Sequence, residues 1–265
     1  MESKNIKTEL YNDHFQNYKR YGIPKAQLVI ADIPYNLGVN AYASNPMWYI
    51  DGDNQNGESA KAGKAFFRTD HDFRIAEYFH FCNKLLKKEP KERGKAPCMI
   101  VFCSFEQLET VIQYADKHGF RHYIPLIFCK NYSAQVLKAN MKIVGATEYG
   151  LVLYRDKLPK FNNGGHMIFN WFEWRRDSKK EYPKIHPTQK PVSLLKRLIE
   201  IYTDPGDVVI DPVAGSGTTL RAAAELGRNS YGFEIDRQIY REARDEMLGQ
   251  TPTSAAKLQL RMEGV

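Results

Sequence analysis

The stretch DVVIDPVAGSGTTL, residues 207–220, decides the fold. It is typical of a short apolar strand, a tight glycine loop and the start of a helix. Gly215 and Gly217 let the backbone turn sharply and approach a ligand without Cβ collisions. A second strand, SYGFEI over residues 230–235, follows the helix. Strand, loop, helix and strand in this order form the repeating unit of a parallel sheet.

Two acidic residues accompany the glycine loop. Asp211 ends the first strand, and Glu234 lies 19 residues beyond Gly215. That distance is typical of an acid that accepts a hydrogen bond from a ribose hydroxyl, so the pattern predicts a nucleoside-containing cofactor. An NTPase loop would place Lys where Thr218 stands, and a dinucleotide site would have a third spaced glycine. An ordinary strand-to-helix turn is the remaining alternative.

The rest of the chain alternates between strands and helices. Further strands are predicted over residues 26–32, 98–103, 122–129 and 148–154, and helices over 72–88, 191–202, 217–226 and 237–248. This alternation predicts an α/β fold with a doubly wound, mostly parallel sheet. Residues 36–70 are rich in Asn, Gly, Ser and Asp and have no periodicity, which indicates a long loop insertion. We expect residues 1–265 to form a single domain.

The tetrapeptide Asp32-Ile33-Pro34-Tyr35 comes directly after the first predicted strand. A carboxylate and a backbone carbonyl that accept the two N–H bonds of an exocyclic amine localise its lone pair. Tyr35 can stack on the base, an interaction worth about 1–3 kcal/mol. Pro34 restricts the backbone and so directs the carbonyl of Ile33. The pattern favours an amine substrate, and an Asp-x-Pro turn beside a core tyrosine is the alternative.

Basic residues concentrate in one part of the chain. The formal net charge is +7, and residues 155–190 hold nine Lys or Arg against four acids, together with six aromatic residues. Basic side chains contact phosphates and aromatic rings stack on bases, so the segment favours a nucleic-acid partner. A solvated, partly packed loop is the alternative. The predicted DNA contacts are Arg155, Lys160, Arg175, Arg176, Lys179 and Lys180.

The four cysteines lack the spacing of a zinc site or a disulfide framework. Cys98 and Cys103 lie in an apolar run, where buried, reduced thiols are expected. No stretch of about 18 apolar residues occurs, and the amino terminus has no apolar targeting segment. We therefore expect a cytoplasmic protein without a metal and without a membrane span.

Three motifs together resemble the β-class of amino-methylating DNA methyltransferases. The tetrapeptide at residues 32–35 resembles the family's Asp-Pro-Pro-Tyr catalytic motif, and DPVAGSGTT resembles its Asp-Pro-Phe-x-Gly-Ser-Gly-Thr-Thr cofactor loop. His186-Pro-Thr-Gln-Lys-Pro191 matches a signature that precedes this loop, and the strand that begins at Glu148 is also similar. The resemblance spans roughly residues 26 to 248, and the motifs stand in the permuted order of the β-class.

The resemblance implies a Rossmann-like, seven-stranded methyltransferase sheet with S-adenosylmethionine as the cofactor. It also implies direct in-line transfer to a base flipped out of the DNA, with no covalent enzyme intermediate. Asp32, Tyr35 and the Ile33 carbonyl would hold the base, supported by Pro34. The implied cofactor residues are Asp211, Pro212, Gly215, Ser216, Gly217, Thr218, Glu234 and Lys190. Residues 155–185 would recognise the target, helped by the 36–70 loop or by a second subunit, since β-class enzymes are often dimers.

Two departures from the family pattern stand out. Ile33 replaces the usual first proline, and Val213-Ala214 replaces a bulkier, Phe-containing pair. Asp rather than Ser at position 32 favours adenine N6 as the target in this family, as in the modification enzymes of restriction systems. The alternatives are a cytosine N4 methyltransferase, a methyltransferase for RNA or a protein amide, and a catalytically silent nucleic-acid-binding subunit.

Overall fold

A computed structural model describes residues 6–34, 73–132, 135–138, 142–186 and 188–249. Within these ranges the strands are β1 (Thr8–Tyr11), β2 (Leu28–Asp32), β3 (Cys98–Cys103), β4 (His122–Lys130), β5 (Gln135–Lys138), β6 (Ile143–Gly145), β7 (Thr147–Tyr154), β8 (Trp171–Trp174), β9 (Val208–Asp211) and β10 (Asn229–Phe233). The α-helices are α1 (Ile75–Leu85), α2 (Leu108–Lys117), α3 (Val192–Tyr202), α4 (Thr218–Glu225) and α5 (Arg237–Glu242). A π-helical turn, Ala243–Leu248, continues α5. The loop insertion predicted at 36–70 lies outside the described residues.

Within the described residues, eight strands form the main sheet, in the order β1-β10-β9-β2-β3-β7-β4-β8. Every neighbouring pair is parallel except the two that involve β7, which runs against β3 and β4. The doubly wound, mostly parallel architecture is therefore confirmed, and only the expected count of seven strands is wrong. In the part of the chain that the structure describes, β8 adds an outer strand because Trp171–Trp174 pairs along β4 and buries Trp174 against the core.

Both faces of the sheet are covered, as the continuous apolar strands require. Alternate residues of β2 serve opposite faces: Val29 and Ala31 pack in the cluster under α1 and α2. Leu28 and Ile30 belong to the cluster on the other face, which includes apolar residues of α3 and α4. All four β2 residues are at most 1% exposed. A core on each side fixes the direction of the strands and hence the positions of their last residues.

The chain changes direction across the sheet between β2 and β9. From β9 the helix α4 leads outward to β10, whereas from β2 the helix α1 leads the other way to β3. Ligands of open α/β sheets bind outside the carboxyl ends of the strands at such a switch point. Here those ends carry Asp32 and Asp211. We call this the site edge of the sheet.

The reversed strand β7 connects the two edges. It starts at the site edge, where Tyr149 pairs with Cys103, and it ends at the opposite edge, where Leu153 pairs with Met99. Glu148, near its start, therefore lies close to the end of β2. Arg155, just after its end, is carried to the opposite edge.

The expectation for the cysteines agrees with the structure. The cysteines at positions 82, 98, 103 and 129 are free thiols, and Cys98 and Cys103 are buried. Across the described ranges, no helix has the length and apolar character needed to span a bilayer. The described residues also contain no cluster of three or more His, Cys, Asp or Glu suited to a metal ion.

Candidate active site

The glycine loop is fixed by the carboxylate of Glu234. Gly215 and Gly217 have φ of +50° and +76°, in the left-handed region that favours glycine. The Gly215 amide donates to Glu234 Oε2 at 3.0 Å, and the Asp236 amide donates to Oε1 at 2.7 Å. One side chain therefore ties the loop after β9 to the end of β10.

Asp211 lies beneath the same loop and is 4% exposed. Its Oδ1 accepts a hydrogen bond from the Val213 amide at 3.1 Å. Burial raises the pKa of Asp211 to about 7, although hydrogen bonds from Thr219 and Val213 oppose the shift. Burial likewise raises the pKa of Glu234 to about 7. Two carboxyl groups that ionise near neutral pH thus line one cavity, which suits a polar or cationic ligand.

The raised pKa of Asp211 predicts a pH-dependent stability. The unfolded carboxyl has a pKa of about 3.9, so between about pH 4 and pH 7 the folded protein binds more protons than the unfolded chain. The free energy of unfolding should therefore fall as pH rises through this window and level off above it. Asp211→Asn, which keeps an oxygen acceptor for the Val213 amide, should lose less stability over this range. Urea unfolding at pH 5 and pH 8 measures how far the free energy of unfolding falls in the wild-type protein and in Asp211→Asn. An equal fall in both would contradict the raised pKa of Asp211.

Asp32 stands at the end of β2, one strand from Asp211. Its Oδ2 accepts from Lys190 Nζ at 2.5 Å, whereas its buried Oδ1 has no hydrogen-bond partner among the described residues. Burial raises the pKa of Asp32, and the Lys190 ammonium opposes the shift. A carboxylate fixed through one oxygen retains the other as an acceptor for a substrate N–H.

The loop after Asp32 is held by backbone contacts. The Ile33 amide donates to the Phe102 carbonyl at 3.2 Å. Gln107 Nε2 donates to the Pro34 carbonyl at 3.0 Å, and Gln107 Oε1 accepts from the Ser104 amide at 3.1 Å. The end of β3 therefore positions the predicted catalytic loop. Tyr35 lies outside the described residues, so its role stays a prediction.

A chain of alternating charges leads away from Asp32. Lys190 Nζ lies 3.0 Å from Glu148 Oε2, and Glu148 Oε1 accepts a short hydrogen bond from Lys130. Both ammonium groups also face the Trp174 ring, at 5.2 Å for Lys190 and 4.7 Å for Lys130. Burial opposes ionisation of Glu148, but the Lys190 and Lys130 ammonium groups lower its pKa. When ionised, the two carboxylates, Asp32 and Glu148, balance the charge of the two ammonium groups, Lys190 and Lys130.

A cavity of about 270 Å³ joins the two halves of the site. Asp32, Glu148 and Lys190 line one part of its wall, and Asp211 and Glu234 line another. Apolar side chains also line it, including Phe15, Phe73, Ile235 and Ile239. Polar groups at a few points of a mostly apolar wall are typical of sites for organic ligands.

The predicted cofactor residues come together around this cavity. Its wall includes Asp211, Pro212, Gly215, Ser216, Thr218, Glu234 and Lys190. Gly217, between the wall residues Ser216 and Thr218, is the N-cap of α4. Lys190, predicted as a cofactor residue, makes its ion pairs with Asp32 and Glu148. His186 from the same signature also lines the cavity, and burial lowers its pKa to about 4.

The six basic residues predicted to contact DNA do not form one surface. Arg155 Nη2 donates to Asn83 Oδ1 at 2.8 Å, at the edge opposite the site. Lys160 is ion-paired with Asp204, in the turn that precedes β9. The aromatic residues also divide, because Trp174 is 2% exposed whereas Phe169 is 75% exposed. Arg155 and Lys160 are therefore engaged within the protein, and their expected role in DNA contact has no geometric support.

The remaining four basic residues follow β8, whose last residues lie at the site edge beside Lys130. Arg175 and Arg176 are exposed, as are Lys179 and Lys180. Arg175 Nη2 donates to Glu173 Oε2 at 2.8 Å, and the Arg176 guanidinium lies over the Tyr132 ring at 3.6 Å. Exposed cations at the site edge are well placed for an anionic partner.

Sequence reasoning missed two side chains of the site, Lys130 and Gln107. It also missed the ion-pair role of a third, Glu148. Lys130 ends a strand without belonging to any motif. Gln107 stands three residues after Ser104 in a capping-box arrangement, a pattern that reports a helix start and not a site. Glu148 begins the strand that resembled the family, but only the reversed direction of β7 brings it to Lys190.

Comparison with known proteins agrees with this geometry. The family model described as DNA methylase, for N6 and N4 methylation, matches residues 26–245. The chain therefore belongs to this family of DNA amino-methyltransferases. It is 29% identical to the DNA adenine methyltransferase YhdJ of Escherichia coli over 253 residues, covering 87% of this chain and 79% of the relative.

Solved structures show the same fold. The M1.HpyAVI–SAM complex superposes with a TM-score of 0.63 at 21% identity, covering 89% of this chain and 97% of that one. The cytosine-N4-specific PvuII DNA methyltransferase superposes with a TM-score of 0.62 at 16% identity, covering 91% and 86%. At these identities the likeness concerns the arrangement of helices and strands.

Proposed function

We propose that the protein transfers a methyl group from S-adenosylmethionine to N6 of adenine at a specific sequence in DNA. The observation that carries the proposal is the position of Asp32. It ends β2 beside the carboxylates of the glycine-loop cavity, with Oδ2 held by Lys190 and with Oδ1 unpartnered in the described structure. Aspartate at this position and the similarity to YhdJ support adenine as the base.

The residues around the glycine loop fit S-adenosylmethionine. A Cβ at Gly215 would meet no atom within 4 Å, so the loop backbone is open to a ligand. Glu234 would accept hydrogen bonds from the ribose hydroxyls, and ionised Asp211 would favour a cationic ligand. Phe15, Ile235 and Ile239 supply apolar surface for an adenine ring. When bound, the cofactor supplies a methyl group on a sulfonium, which is electrophilic without help from the protein.

Asp32 would prepare the amine. The lone pair of adenine N6 is delocalised into the ring, so the free base is a weak nucleophile. A hydrogen bond from N6 to Asp32 Oδ1, together with one to the Ile33 carbonyl, would localise that lone pair. Burial raises the pKa of Asp32, which also makes this carboxylate a better acceptor for the proton that the amine loses. Positioning and preset polar groups would supply most of the rate enhancement.

The proposal also includes extraction of the base from the helix, since an amine inside the duplex cannot reach a buried carboxylate. Flipping costs a few kcal/mol of unstacking, which contacts to the DNA must offset. Exposed Arg175 and Arg176 at the site edge would contact phosphates. A homodimer would extend this surface, as the resemblance to β-class enzymes suggests.

The decisive experiment is methyl transfer from labelled S-adenosylmethionine to mixed-sequence duplex DNA. Digestion to nucleosides and mass spectrometry then identify the methylated base. We expect N6-methyldeoxyadenosine. Label on cytosine N4 would overturn the base assignment, and label on RNA alone would overturn the substrate class.

Arg176→Ala should weaken DNA binding by a similar factor for all sequences. Loss of one phosphate contact makes the negative slope of log affinity against log salt shallower by about one. Arg93→Ala is the matched control, because Arg93 is an exposed arginine in the loop that leads into β3 at the opposite edge. Fluorescence anisotropy with labelled duplexes at several salt concentrations measures both slopes. Equal slopes for the two variants would remove Arg176 from the DNA surface.

A further inference from the structure

The ion pairs behind Asp32 are largely buried. The Lys190 side chain is 7% exposed, and the side chains of Lys130 and Glu148 are 9% and 17% exposed. Buried ion pairs of this kind are often no more stabilising than apolar residues of the same size. Stability alone therefore gives a weak reason for placing two ammonium groups and a carboxylate behind the predicted catalytic residue.

We propose that Lys190 is a positioning residue, held by Glu148 and Lys130, that fixes the Asp32 carboxylate and keeps it ionised for the amine. The inference rests on the proposed function, since it concerns the same reaction. It assigns Lys190 to the substrate half of the site, whereas the sequence pointed to the cofactor half.

The first argument is the division of the Asp32 oxygens. Lys190 Nζ takes Oδ2 at 2.5 Å and leaves Oδ1 unpartnered among the described residues. This contact restrains the plane of the carboxylate, so Lys190 helps to set the direction in which the other oxygen accepts. A displacement of about 1 Å in such a site costs on the order of 10²-fold in rate.

The second argument is the way in which Lys190 itself is held. Its ammonium contacts Glu148 Oε2 at 3.0 Å and lies 5.2 Å from the centres of the Phe102 and Trp174 rings. Lys130 binds the other oxygen of Glu148. Lys190 is therefore enclosed by a carboxylate and two aromatic faces, with Asp32 on its remaining side.

The third argument is electrostatic. Charged and titratable groups face Asp32 from every neighbouring element: Lys190 and His186 before α3, Glu148 on β7, Lys130 on β4, Asp211 on β9 and Cys103 on β3. The two ammonium groups favour the ionised form of Asp32, whereas Glu148 disfavours it. Removing Lys190 and removing the charge of Glu148 should therefore shift the pKa of Asp32 in opposite directions.

The test compares Lys190→Met, Glu148→Gln and the wild-type protein. Single-turnover methyl transfer is measured against pH, and the Asp32 carboxyl is titrated by ¹³C NMR, with Asp32→Asn used to assign its signal. For Lys190→Met we expect the acid limb of the profile of rate against pH, and the titration of the Asp32 carboxyl, to move up by about one to three pH units. The single-turnover rate at neutral pH should fall by about 10²-fold, with an unchanged Kd for DNA. For Glu148→Gln we expect both readouts to move to lower pH.

The controls separate this role from a structural one. Lys87→Met removes another partly buried ion pair, that of Lys87 with Asp207 at the opposite edge, and should leave the acid limb unchanged. Glu148→Gln, which is nearly isosteric, keeps the inference testable if Lys190→Met fails to fold. Shifts in the same direction for both variants, or no shift in either, would overturn it. A wild-type protein that methylates no DNA base would instead overturn the proposed function, while the NMR titration would still decide what Lys190 does to Asp32.

Discussion

Asp32→Ala should reduce methyl transfer by on the order of 10³-fold or more, because the amine loses both its hydrogen-bond acceptor and its proton acceptor. The fold should survive the change, since the Lys190 ammonium retains Glu148 Oε2 at 3.0 Å as a partner. Cofactor binding should also persist, because Asp211, Glu234 and the glycine loop are untouched. Single-turnover kinetics and calorimetry with S-adenosylmethionine measure the two effects separately.

Asp156→Ala is the control for this substitution. The Asp156 side chain is 67% exposed and pairs with Arg121 at the opposite edge of the sheet. Its removal should change neither the rate nor the affinity. An Asp32→Ala protein with near-normal turnover would contradict the catalytic assignment, even if the control behaves as expected.

Glu234→Ala should weaken the binding of S-adenosylmethionine by about 10²-fold or more. The substitution removes the acceptor proposed for the ribose hydroxyls and also releases the Gly215 and Asp236 amides. Each hydrogen bond to a charged group contributes about 1.5–3 kcal/mol. Loss of the two that the ribose hydroxyls would donate to Glu234 therefore removes a large fraction of the binding energy. Isothermal calorimetry measures the change directly.

The pH dependence of binding gives an independent check on Glu234. Its pKa of about 7 means that the ionised acceptor becomes dominant only as pH rises through neutrality. Wild-type affinity should therefore increase between pH 6 and pH 8, and part of this increase should disappear in Glu234→Ala. Glu246→Ala, an exposed change in the π-helical turn, should retain both the affinity and its pH dependence. An unchanged affinity in Glu234→Ala would remove this residue from the cofactor site.

Much of the fold was predictable because its signals are local. Buried strands show as apolar runs: β3 matches residues 98–103 in full, and β4 extends the prediction by one residue, to Lys130. Helix α3 begins at Val192, directly after the last proline of its motif. The two outer strands, β1 and β8, were missed because each has only four residues and neither is a continuous apolar run.

The site was predictable to the extent that its residues belong to motifs. Asp32, Asp211 and Glu234 follow strands, and parallel strands bring their carboxyl ends to one edge. Lys130 and the pairing of Glu148 with Lys190 were not predictable, because they depend on the antiparallel direction of β7. Charge counting alone did not separate Arg155 and Lys160, which bind other parts of the fold, from the exposed cations that follow β8, since composition carries no information on a side chain's partners.

The position of β1 has a consequence for synthesis on the ribosome. Thr8 pairs with Ser230, which is 222 residues further along the chain. At about 5–20 residues per second, β1 waits on the order of ten seconds or more for its partner to be made. The half of the sheet that carries Asp32 can assemble first, since β2, β3, β4 and β7 emerge earlier. The half that carries Asp211 and Glu234 completes the sheet last, so a nascent chain acquires the residues proposed for the amine before those proposed for the cofactor.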